Sequence, residues 1–528
     1  MSRKIFLAIL LMAETIIFFA GEKKALIYMM DGLRADLAEN LNAPIWKALK
    51  GNTWSDSYRS AWSVDAGNDI FQPPNSAPNH ASIVTGQYAK LHKVTNNKTF
   101  VQYDADAAPM FLQTLYTRKK ISGVYAFSWA DDCILIPKIP LIVLARDDVR
   151  NNLELDRILK TNPVPSVFLV FDDAPDHGAH ASGFYPFGPK YISAARTSME
   201  RLERLLDTIK KRPQFKEEDW LIILCSDHGG FGKLHGMRGG HASTVPLLFC
   251  SKNIPAGYLS GRPENGMITP IVLRHFGLDD EARKLPGDQA IMIAAAPAKV
   301  PLSKDLRYDL VVKGDRIVNA AGNQKFTIHG HLPIVEDSFI FGKDSGFITL
   351  DALKNFQAET FTFALTLEPD SAAGKSEFPL FCNKDWKDGA SDGFCFFVSG
   401  MNCKFNFARR EMPATFLAPR PDQLDLFSFL LPPGKKNMLA CSVGRNGLIT
   451  LMQKHPDGYT YWFSVKSKGI LCRSAFAWNL GQDGTGSCKN NAFGKISRFQ
   501  FWDRALSLDE LRQLLSSPTS NLKRFTKP

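Results

Sequence analysis

The sequence predicts an α/β domain with a mainly parallel sheet flanked by helices, followed by an all-β sandwich. Up to about residue 298, short apolar strands alternate with helical segments, a pattern typical of helices that cover a parallel sheet. From about residue 305, alternating strands are divided by Gly, Asp and Pro turns, which indicates a sandwich. A chain of 528 residues is also too long for one hydrophobic core. We therefore expect domains at residues 22–298 and 305–528.

Three apolar runs are predicted to form buried strands of the first domain: residues 25–30, 166–171 and 220–225. Each run is continuous, as expected for parallel strands that are covered on both faces. Between the last two runs, apolar side chains recur at the three- and four-residue spacing of an amphipathic helix. These side chains are Ile192, Ala195, Met199, Leu202, Leu206 and Ile209.

The second domain follows a segment with the composition of a linker, Ala294-Ala-Ala-Pro-Ala-Lys-Val-Pro301. Residues 361–367 and 404–407 are predicted strands of this domain. Ser507 and Glu510 have the spacing of a capping box, which predicts a short helix near the C-terminus. Six cysteines lie in this part of the chain and permit disulfides, whose pairing the sequence leaves open.

Residues 1–20 are predicted to be a signal peptide. Arg3 and Lys4 precede an apolar stretch that ends near Ala20; a signal anchor is the alternative interpretation. Either interpretation predicts an exported protein that is periplasmic, secreted or attached to the cell surface. No later apolar run reaches the length of about 20 residues that a membrane-spanning helix needs, so a transmembrane bundle is excluded.

The charge balance gives no sign of dedicated nucleic-acid binding. Lys and Arg number 64 and Asp and Glu number 53, which gives a net charge of +11. The basic residues are scattered along the chain rather than clustered, so we interpret them as a solvated basic surface.

Acidic residues follow each of the three predicted buried strands directly. Because the carboxyl ends of parallel strands meet at one edge of a sheet, where ligands bind in open α/β folds, we expect one shared site. The carboxylates and imidazoles predicted to contribute to it are Asp31, Asp176, His180, Asp227, His228, His235 and His241.

This mixture of carboxylates and imidazoles predicts a transition-metal site. It suits zinc, or alternatively manganese or iron, better than calcium or magnesium, which prefer shells of oxygen alone. The ligands are too many for one tetrahedral centre, so we expect two divalent metal ions about 3.5–4 Å apart. The sequence between the first two clusters adds Ser76, which is predicted to lie where a helix begins. A hydroxyl at a helix N-terminus beside metal ions is suited to act as a nucleophile.

These segments resemble the alkaline phosphatase superfamily, and most of all its type I phosphodiesterase/nucleotide pyrophosphatase branch. The motifs that carry the resemblance lie within residues 22–295 and are Asp31-Gly-Leu-Arg34, Ser76-Ala-Pro-Asn-His80 with Val84-Thr-Gly86, Asp176-x-x-x-His180 and Ser226-Asp-His-Gly229. The resemblance implies that Ser76 is the nucleophile and contacts the second metal ion, which Asp31, Asp227 and His228 also bind. It assigns Asp176 and His180 to the first metal ion, and it implies that Asn97 holds a phosphoryl oxygen.

The third ligand of the first metal ion has two candidates. His235 precedes Gly236 and matches a His-Gly of the phosphodiesterase branch, whereas His241 resembles a histidine of phosphatase and mutase relatives. We favour His235, and His241 would then line the pocket or bind phosphate.

Two departures from the family patterns narrow the substrate. Ala77 stands where many nucleotide pyrophosphatases have an aromatic residue, which argues against a nucleotide substrate. His80 replaces the Arg of the sulfatase signature and Ser76 replaces its Cys, so a formylglycine sulfatase is not expected.

The second domain resembles a laminin-G/concanavalin-like jelly roll in residues 380–386 and 494–507. The resemblance leaves two roles open, a structural appendage or a domain that binds a glycan or another surface ligand.

Together these inferences predict a metal-dependent phosphodiesterase that acts through a phospho-serine intermediate. The alternatives are a phosphomonoesterase, a phosphonate or sulfate ester hydrolase, and, from another class, a non-catalytic carbohydrate-binding surface protein. Because every candidate ligand precedes the linker, we also expect a modest interface between the domains, and a chain ending near residue 300 that folds and hydrolyses a small diester.

Overall fold

The computed structural model describes most of the chain beyond the N-terminus. The described residues are 21–59, 72–121, 123–127, 142–145, 148–161, 163–236, 240–260, 263–290, 292–295, 299–342, 344–354, 356, 360–370, 377–387, 391–399, 402–408, 428–445, 447–466, 474–488 and 494–516. Residues 1–20, on which the export prediction depends, lie outside this set.

Residues 22–294 form an α/β domain. Its strands are β1 (Glu22–Met30), β2 (Thr53–Arg59), β3 (Val124–Phe127), β4 (Ile142–Ala145), β5 (Val167–Asp172), β6 (Glu218–Cys225), β7 (Thr244–Cys250), β8 (Gly257–Ser260) and β9 (Met292–Ala294). Its helices are α1 (Ala35–Leu41), α2 (Pro44–Lys50), α3 (Ser76–Thr85), α4 (Ala89–His92), α5 (Phe111–Thr117), α6 (Asp148–Leu159), α7 (Ala174–Ser182), α8 (Pro189–Lys210), α9 (Gly240–Ser243), α10 (Ile268–His275) and α11 (Asp279–Ala282). The three predicted buried strands and the predicted amphipathic helix, α8, are confirmed.

The sheet of this domain is parallel on one side and mixed on the other. Its described strands lie in the order β4-β3-β5-β1-β6-β7-β2-β8-β9. Strands β4, β3, β5, β1 and β6 are parallel to one another, but β7 is antiparallel to both β6 and β2. The prediction of a mainly parallel sheet is therefore correct for one half. The chain after β6 stays at the carboxyl end of the sheet instead of crossing back, so β7 returns in the opposite direction.

Helices cover both faces of this sheet. Successive side chains of a strand point to opposite sides, so each strand contributes to the core on either face. Ala25, Ile27 and Met29 of β1 pack in one core with α3, α5 and α10. Leu26 and Tyr28 pack in the other with α1, α2 and α8. The domain is therefore a three-layer structure, in which the central strands end at one edge of the sheet.

The rest of the chain is a β-sandwich with a C-terminal helix. Its strands are β10 (Leu306–Lys313), β11 (Arg316–Asn319), β12 (Thr327–His329), β13 (Ile334–Val335), β14 (Ser338–Phe341), β15 (Phe347–Thr349), β16 (Phe361–Pro369), β17 (Glu377–Cys382), β18 (Gly393–Ser399), β19 (Asn402–Ala408), β20 (Ser428–Leu430), β21 (Asn437–Val443), β22 (Leu448–Lys454), β23 (Thr460–Lys466), β24 (Asn479–Leu480) and β25 (Gly494–Trp502).

Two antiparallel sheets enclose an aromatic core in this domain. The described strands of one sheet lie in the order β11-β10-β25-β16-β21-β22-β23, with β14 beside β25 and β13 beside β14, and those of the other in the order β12-β15-β24-β17-β18-β19-β20. Phe363 of the first sheet and Phe381 of the second meet at a ring-centroid distance of 5.0 Å. The all-β prediction is confirmed, while the jelly-roll topology stays a prediction.

The predicted capping box begins helix α12 (Leu508–Ser516). The N–H of Ser507 donates to Oε2 of Glu510 over 2.8 Å, and the N–H of Glu510 donates to Oγ of Ser507 over 3.3 Å. Both bonds satisfy backbone donors that a helix start leaves unpaired.

The cysteines within the described residues form no disulfide, and most of them are buried. Cys382 and Cys395 lie opposite one another on β17 and β18. Cys133 and Cys472 lie outside the described residues, so disulfides that involve them stay a prediction.

Among the helices that the structure describes, none has the length and apolar composition needed to cross a membrane.

Candidate functional site

Most of the predicted site residues lie on two helices, α3 and α7, and in loops beyond the carboxyl ends of three neighbouring strands. Strands β5, β1 and β6 are adjacent and parallel, so Asp31, Asp176 and Asp227 lie beyond the same edge of the sheet. Asp172 ends β5, but its carboxylate is occupied by the hydroxyl of Tyr28 at 2.6 Å and by Arg201 at 3.2 Å. Asp172 therefore has a structural role apart from the other acids.

Ser76, Asp31 and Asp227 surround one nitrogen of His228. Nε2 of His228 lies 3.2 Å from Oγ of Ser76, 3.3 Å from Oδ1 of Asp31 and 3.4 Å from Oδ2 of Asp227. All four side chains are buried. We call these residues the buried group.

Asp176, His180 and His235 form a second group, which we call the outer group. Nε2 of His180 lies 3.2 Å from Oδ2 of Asp176, and Nε2 of His235 lies 3.9 Å from Oδ1 of the same carboxylate. The outer group adjoins the buried group, because the rings of His228 and His235 stack with centroids 4.1 Å apart. The side chain of His180 is 41% exposed, so this group opens to solvent.

Each of the three histidines is held with Nε2 turned toward the carboxylates. Nδ1 of His228 donates to the carbonyl of Gly229 over 2.9 Å, and Nδ1 of His180 donates to the carbonyl of Lys233 over 2.7 Å. Nδ1 of His235 donates to Oδ1 of Asn75 over 3.2 Å. Fixing the proton on Nδ1 leaves a lone pair on Nε2, which is the usual arrangement of metal-binding histidines.

The carboxylates also fit a divalent cation. Oδ1 of Asp31 and Oδ1 of Asp176 are buried and accept no hydrogen bond from the part of the chain that the structure describes. Ligand atoms about 2.0–2.1 Å from one tetrahedral ion would lie about 3.3–3.4 Å apart, close to the separations around Nε2 of His228. The donor set, of carboxylates and neutral imidazoles, therefore suits a metal such as zinc.

The pKa values of these groups reflect their crowding. Burial raises the pKa of Asp31 well above its usual value, and the charges of Asp227 and Asp176 raise it further. Burial alone would also raise the pKa of Asp227, but the electrostatic interaction with His228 and the hydrogen bond from His80 outweigh burial and lower it. A cation between these carboxylates would offset the repulsion between their negative charges.

The imidazoles of the outer group shift in opposite directions. Burial lowers the pKa of His235 to about 3, and the electrostatic interaction with His228 acts in the same direction. The hydrogen bond with Asp176 raises the pKa of His180. His235 is therefore neutral at physiological pH and ready to bind a metal ion.

Ser76 is the first residue of α3, as predicted, and Asn97 adjoins it. Oδ1 of Asn97 accepts the N–H of Ala77 over 3.0 Å, so the Asn97 amide lies at the N-terminus of a ten-residue helix. Ala77, at the position where many nucleotide pyrophosphatases have an aromatic residue, is fully buried. It therefore presents no surface on which a base could stack.

His235 and His241 occupy different places. Gly236 has a φ of +82°, and a Cβ there would lie 2.0 Å from Oδ1 of Asn75, so glycine lets His235 approach Asn75. The ring of His241 instead lies 5.1 Å from that of Tyr461 and 3.9 Å from that of Phe463 in the sandwich. The structure thus brings His235, and not His241, beside Asp176; the ligand itself stays a prediction.

Sequence reasoning missed His80 as part of the site. Its Nε2 lies 3.2 Å from Oδ2 of Asp227 and 3.6 Å from Oδ2 of Asp31. These three residues, like Asp176, His228 and His235, form a described group that could hold a metal ion. From this position Nε2 of His80 can donate to the two acids and orient them, or bind a cation that lies between them. The available signal was its position four residues after Ser76, on the same face of α3.

Comparisons with known proteins give distant structural similarity. No family model and no curated protein matches the sequence. Murine ectonucleotide pyrophosphatase/phosphodiesterase 5, solved as an inactive variant in complex with AMP, has a TM-score of 0.32 at 18% identity, covering 39% of this chain and 57% of that one. A candidate sulfatase, yidJ from Bacteroides fragilis, has a TM-score of 0.41 at 11% identity, covering 62% of this chain and 86% of that one.

Another similar structure is the receptor-binding domain of botulinum neurotoxin mosaic serotype C/D. Its TM-score is 0.30 at 11% identity, covering 41% of this chain and 51% of that one. These TM-scores all lie below 0.5. We therefore infer the chemistry of the site from the side chains of this protein and not from these similar structures.

Proposed function

We propose that this protein is an exported, metal-dependent hydrolase of phosphate esters that prefers diesters and uses Ser76 as its nucleophile. The observation that supports this most directly is the buried group, in which Oγ of Ser76 lies 3.2 Å from Nε2 of His228. Asp31 and Asp227 flank the same nitrogen. A hydroxyl in this setting has the surroundings of an activated nucleophile.

The residues that would hold two metal ions are those of the two groups. Asp31, Ser76, Asp227 and His228 would hold one, and Asp176, His180 and His235 would hold the other. When bound, such ions supply Lewis-acid chemistry, lowering the pKa of a hydroxyl and offsetting negative charge on the ester. Zinc fits the donor set best, with manganese or iron as alternatives.

The residues around Ser76 would place and turn over the ester. The N-terminus of α3 favours an anion, and Nδ2 of Asn97 is suited to donate to a phosphoryl oxygen. Oγ of Ser76 would form a bond to phosphorus while the bond to the leaving oxygen breaks, and the proton lost by Ser76 would end on that oxygen, which departs as an alcohol. Water would then attack phosphorus, releasing the phosphoryl group from Ser76 and returning a proton to its oxygen.

The preference for diesters rests on the resemblance of the Ser76 and His235 segments to the phosphodiesterase branch. The β-sandwich is a candidate for binding a glycan or another surface ligand, a role that follows from its resemblance to laminin-G domains alone. Phosphomonoesters, phosphonates and sulfate esters are the competing substrates.

The test is a panel of p-nitrophenyl esters at equal metal loading. We expect the highest kcat/KM on bis-p-nitrophenyl phosphate, and lower values on the phosphonate, the monoester and the sulfate. A higher value on the monoester would make the protein a phosphatase. A higher value on the sulfate would make it a sulfatase without formylglycine. Turnover of no ester, together with binding on a glycan array, would instead support a carbohydrate-binding surface protein.

A further inference from the structure

The junction between the two domains is built on strand β23, the edge strand of its sheet among those described. Its outward backbone groups bind side chains of the α/β domain. Asn40 donates to the carbonyl of Thr460 over 2.6 Å and accepts its N–H over 3.0 Å. Oδ2 of Asp36 accepts the N–H of Trp462 over 3.1 Å. The edge is thus closed by side chains of α1, so direct hydrogen bonds connect the two domains.

Arg34, the last residue of the Asp31 motif, lies at the centre of this junction. It is 1% exposed and pairs with Asp36 through two hydrogen bonds, from Nε over 2.9 Å and from Nη2 over 2.6 Å. Its Nη1 lies 3.1 Å from Oη of Tyr461, and its guanidinium carbon lies 4.4 Å from the centre of that ring. A residue of the sandwich therefore fixes a buried cation of the α/β domain.

The same guanidinium binds two backbone segments, each of which follows a candidate ligand in the sequence. Nη1 of Arg34 donates to the carbonyl of Phe184 over 2.9 Å and to the carbonyl of Gly230 over 3.1 Å. Phe184 follows α7, which carries His180, and Gly230 follows His228 by two residues. A Cβ on Gly230 would lie 2.6 Å from the ring of Phe184, so glycine allows these two segments to pack together.

Phe184 completes the path to the site. Its ring centroid lies 5.7 Å from that of His180, 6.0 Å from that of His235 and 6.5 Å from that of His228. One side chain thus packs against all three histidines that turn Nε2 toward the carboxylates. Any shift of its backbone would change the separations on which metal binding depends.

We propose that Arg34 is a positioning residue and that the β-sandwich, through Tyr461, is a structural part of the metal site. The proposal relies on the metal site of the proposed function, although not on its substrate. It replaces the expectation that a chain ending near residue 300 binds metal and hydrolyses a small diester unaided.

The test measures metal binding in the full-length protein, by competition with a chromophoric chelator and by the visible spectrum of the Co²⁺-loaded form. Arg34→Met should bind Zn²⁺ about 10–100-fold more weakly, the range for residues that orient ligands. Its Co²⁺ bands should shift, and its kcat should fall with KM little changed. Arg34→Lys keeps the charge with fewer donors and should recover part of the affinity.

Two further variants keep the test decisive. Tyr461→Phe loses one hydroxyl and keeps its ring, so it should fold and bind Zn²⁺ about three- to tenfold more weakly. Asn40→Ala loses two hydrogen bonds to the same strand and one to the backbone carbonyl of Asp36. It keeps every contact of the Arg34 guanidinium, so it should bind Zn²⁺ as the wild type does.

Several results would overturn the proposal. They are wild-type affinity and Co²⁺ spectrum in a folded Arg34→Met protein, wild-type affinity in Tyr461→Phe if Arg34→Met does not fold, or equal weakening by Asn40→Ala. Because the measurement uses no substrate, the proposal can hold even if no ester is hydrolysed. It can also fail while the proposed hydrolase activity stands.

Discussion

The buried group and the outer group hold similar side chains in different surroundings. The side chains of Asp227 and His228 are 0% exposed, whereas that of His180 is 41% exposed and those of Asp176 and His235 are 13% and 12% exposed. Asp31, Asp227 and His228 follow strands at the centre of the sheet directly. The ligands of the outer group lie on a helix and a loop, one step further from the sheet.

The difference predicts unequal roles for the two groups. A buried site draws most of its ligands from the protein, so the loss of any one of them is severe. An exposed site can replace a lost ligand by water and exchanges its ion more readily. The buried group should therefore control turnover, and the outer group should control how much metal the enzyme needs.

The largest loss of activity should come from Asp227→Asn in the buried group. The amide keeps the shape of the side chain but removes the charge that offsets a cation, at a position that accepts the N–H of Gly32 over 3.1 Å. We expect kcat/KM on a small diester to fall about 10³-fold or more, since cation binding contributes several kcal/mol. Added zinc should not restore it.

Asp172→Asn is the matched control for this variant, because Asp172 also ends a neighbouring strand but pairs with Tyr28 and Arg201. It should keep most of the activity. Equal losses in the two variants would show that any strand-end acid matters in the same way, and the buried group would lose its special role.

A smaller and reversible effect is expected for His180→Asn. Water can enter beside this exposed side chain, so activity at limiting zinc should fall about 10–100-fold and recover at millimolar zinc. Activity measured across a zinc titration checks this. His177→Asn, on the exposed part of the same helix, serves as the control and should behave as wild type. Activity that excess zinc cannot restore would place His180 in the same class as Asp227.

The smallest effect concerns metal release in acid. Protons compete with a metal ion for a histidine, so affinity falls as pH drops below the pKa of that ligand. The hydrogen bond with Asp176 raises the pKa of His180, so competition begins above the ordinary value of about 6.5. His235, whose pKa burial lowers to about 3, does not add to it near neutral pH. Metal content after gel filtration should drop by about one equivalent between about pH 7 and 5.5, and loss of both ions together would contradict the distinction.

The buried group was predictable from sequence because a physical rule connects its parts. Continuous apolar runs end in acids, and parallel strands bring those ends to one edge. The same rule overestimated how much of the sheet is parallel. It could not show that the chain after β6 stays at that edge, where it carries His235. His80 was within reach as well, since a residue four positions after Ser76 shares its helix face.

The junction was not predictable in the same way. Arg34 and Tyr461 are separated by 427 positions, and no periodicity or spacing connects a buried cation with the edge strand of another domain. Ser507 and Glu510 show the opposite case, because a capping box acts within one turn and its hydrogen bonds follow from the sequence. Local and edge-directed features were thus within reach, whereas contacts between domains required the structure.

The central claim is that Ser76 performs nucleophilic catalysis at the buried group. The most direct test compares kcat/KM on bis-p-nitrophenyl phosphate for zinc-loaded wild type, Ser76→Ala and Ser82→Ala. Ser82 lies on the same helix but bonds to Gln72 and His92, so its variant controls for damage to α3. We predict a loss of about 10³-fold or more for Ser76→Ala and nearly full activity for Ser82→Ala. Wild-type turnover by a metal-loaded Ser76→Ala protein would contradict the claim.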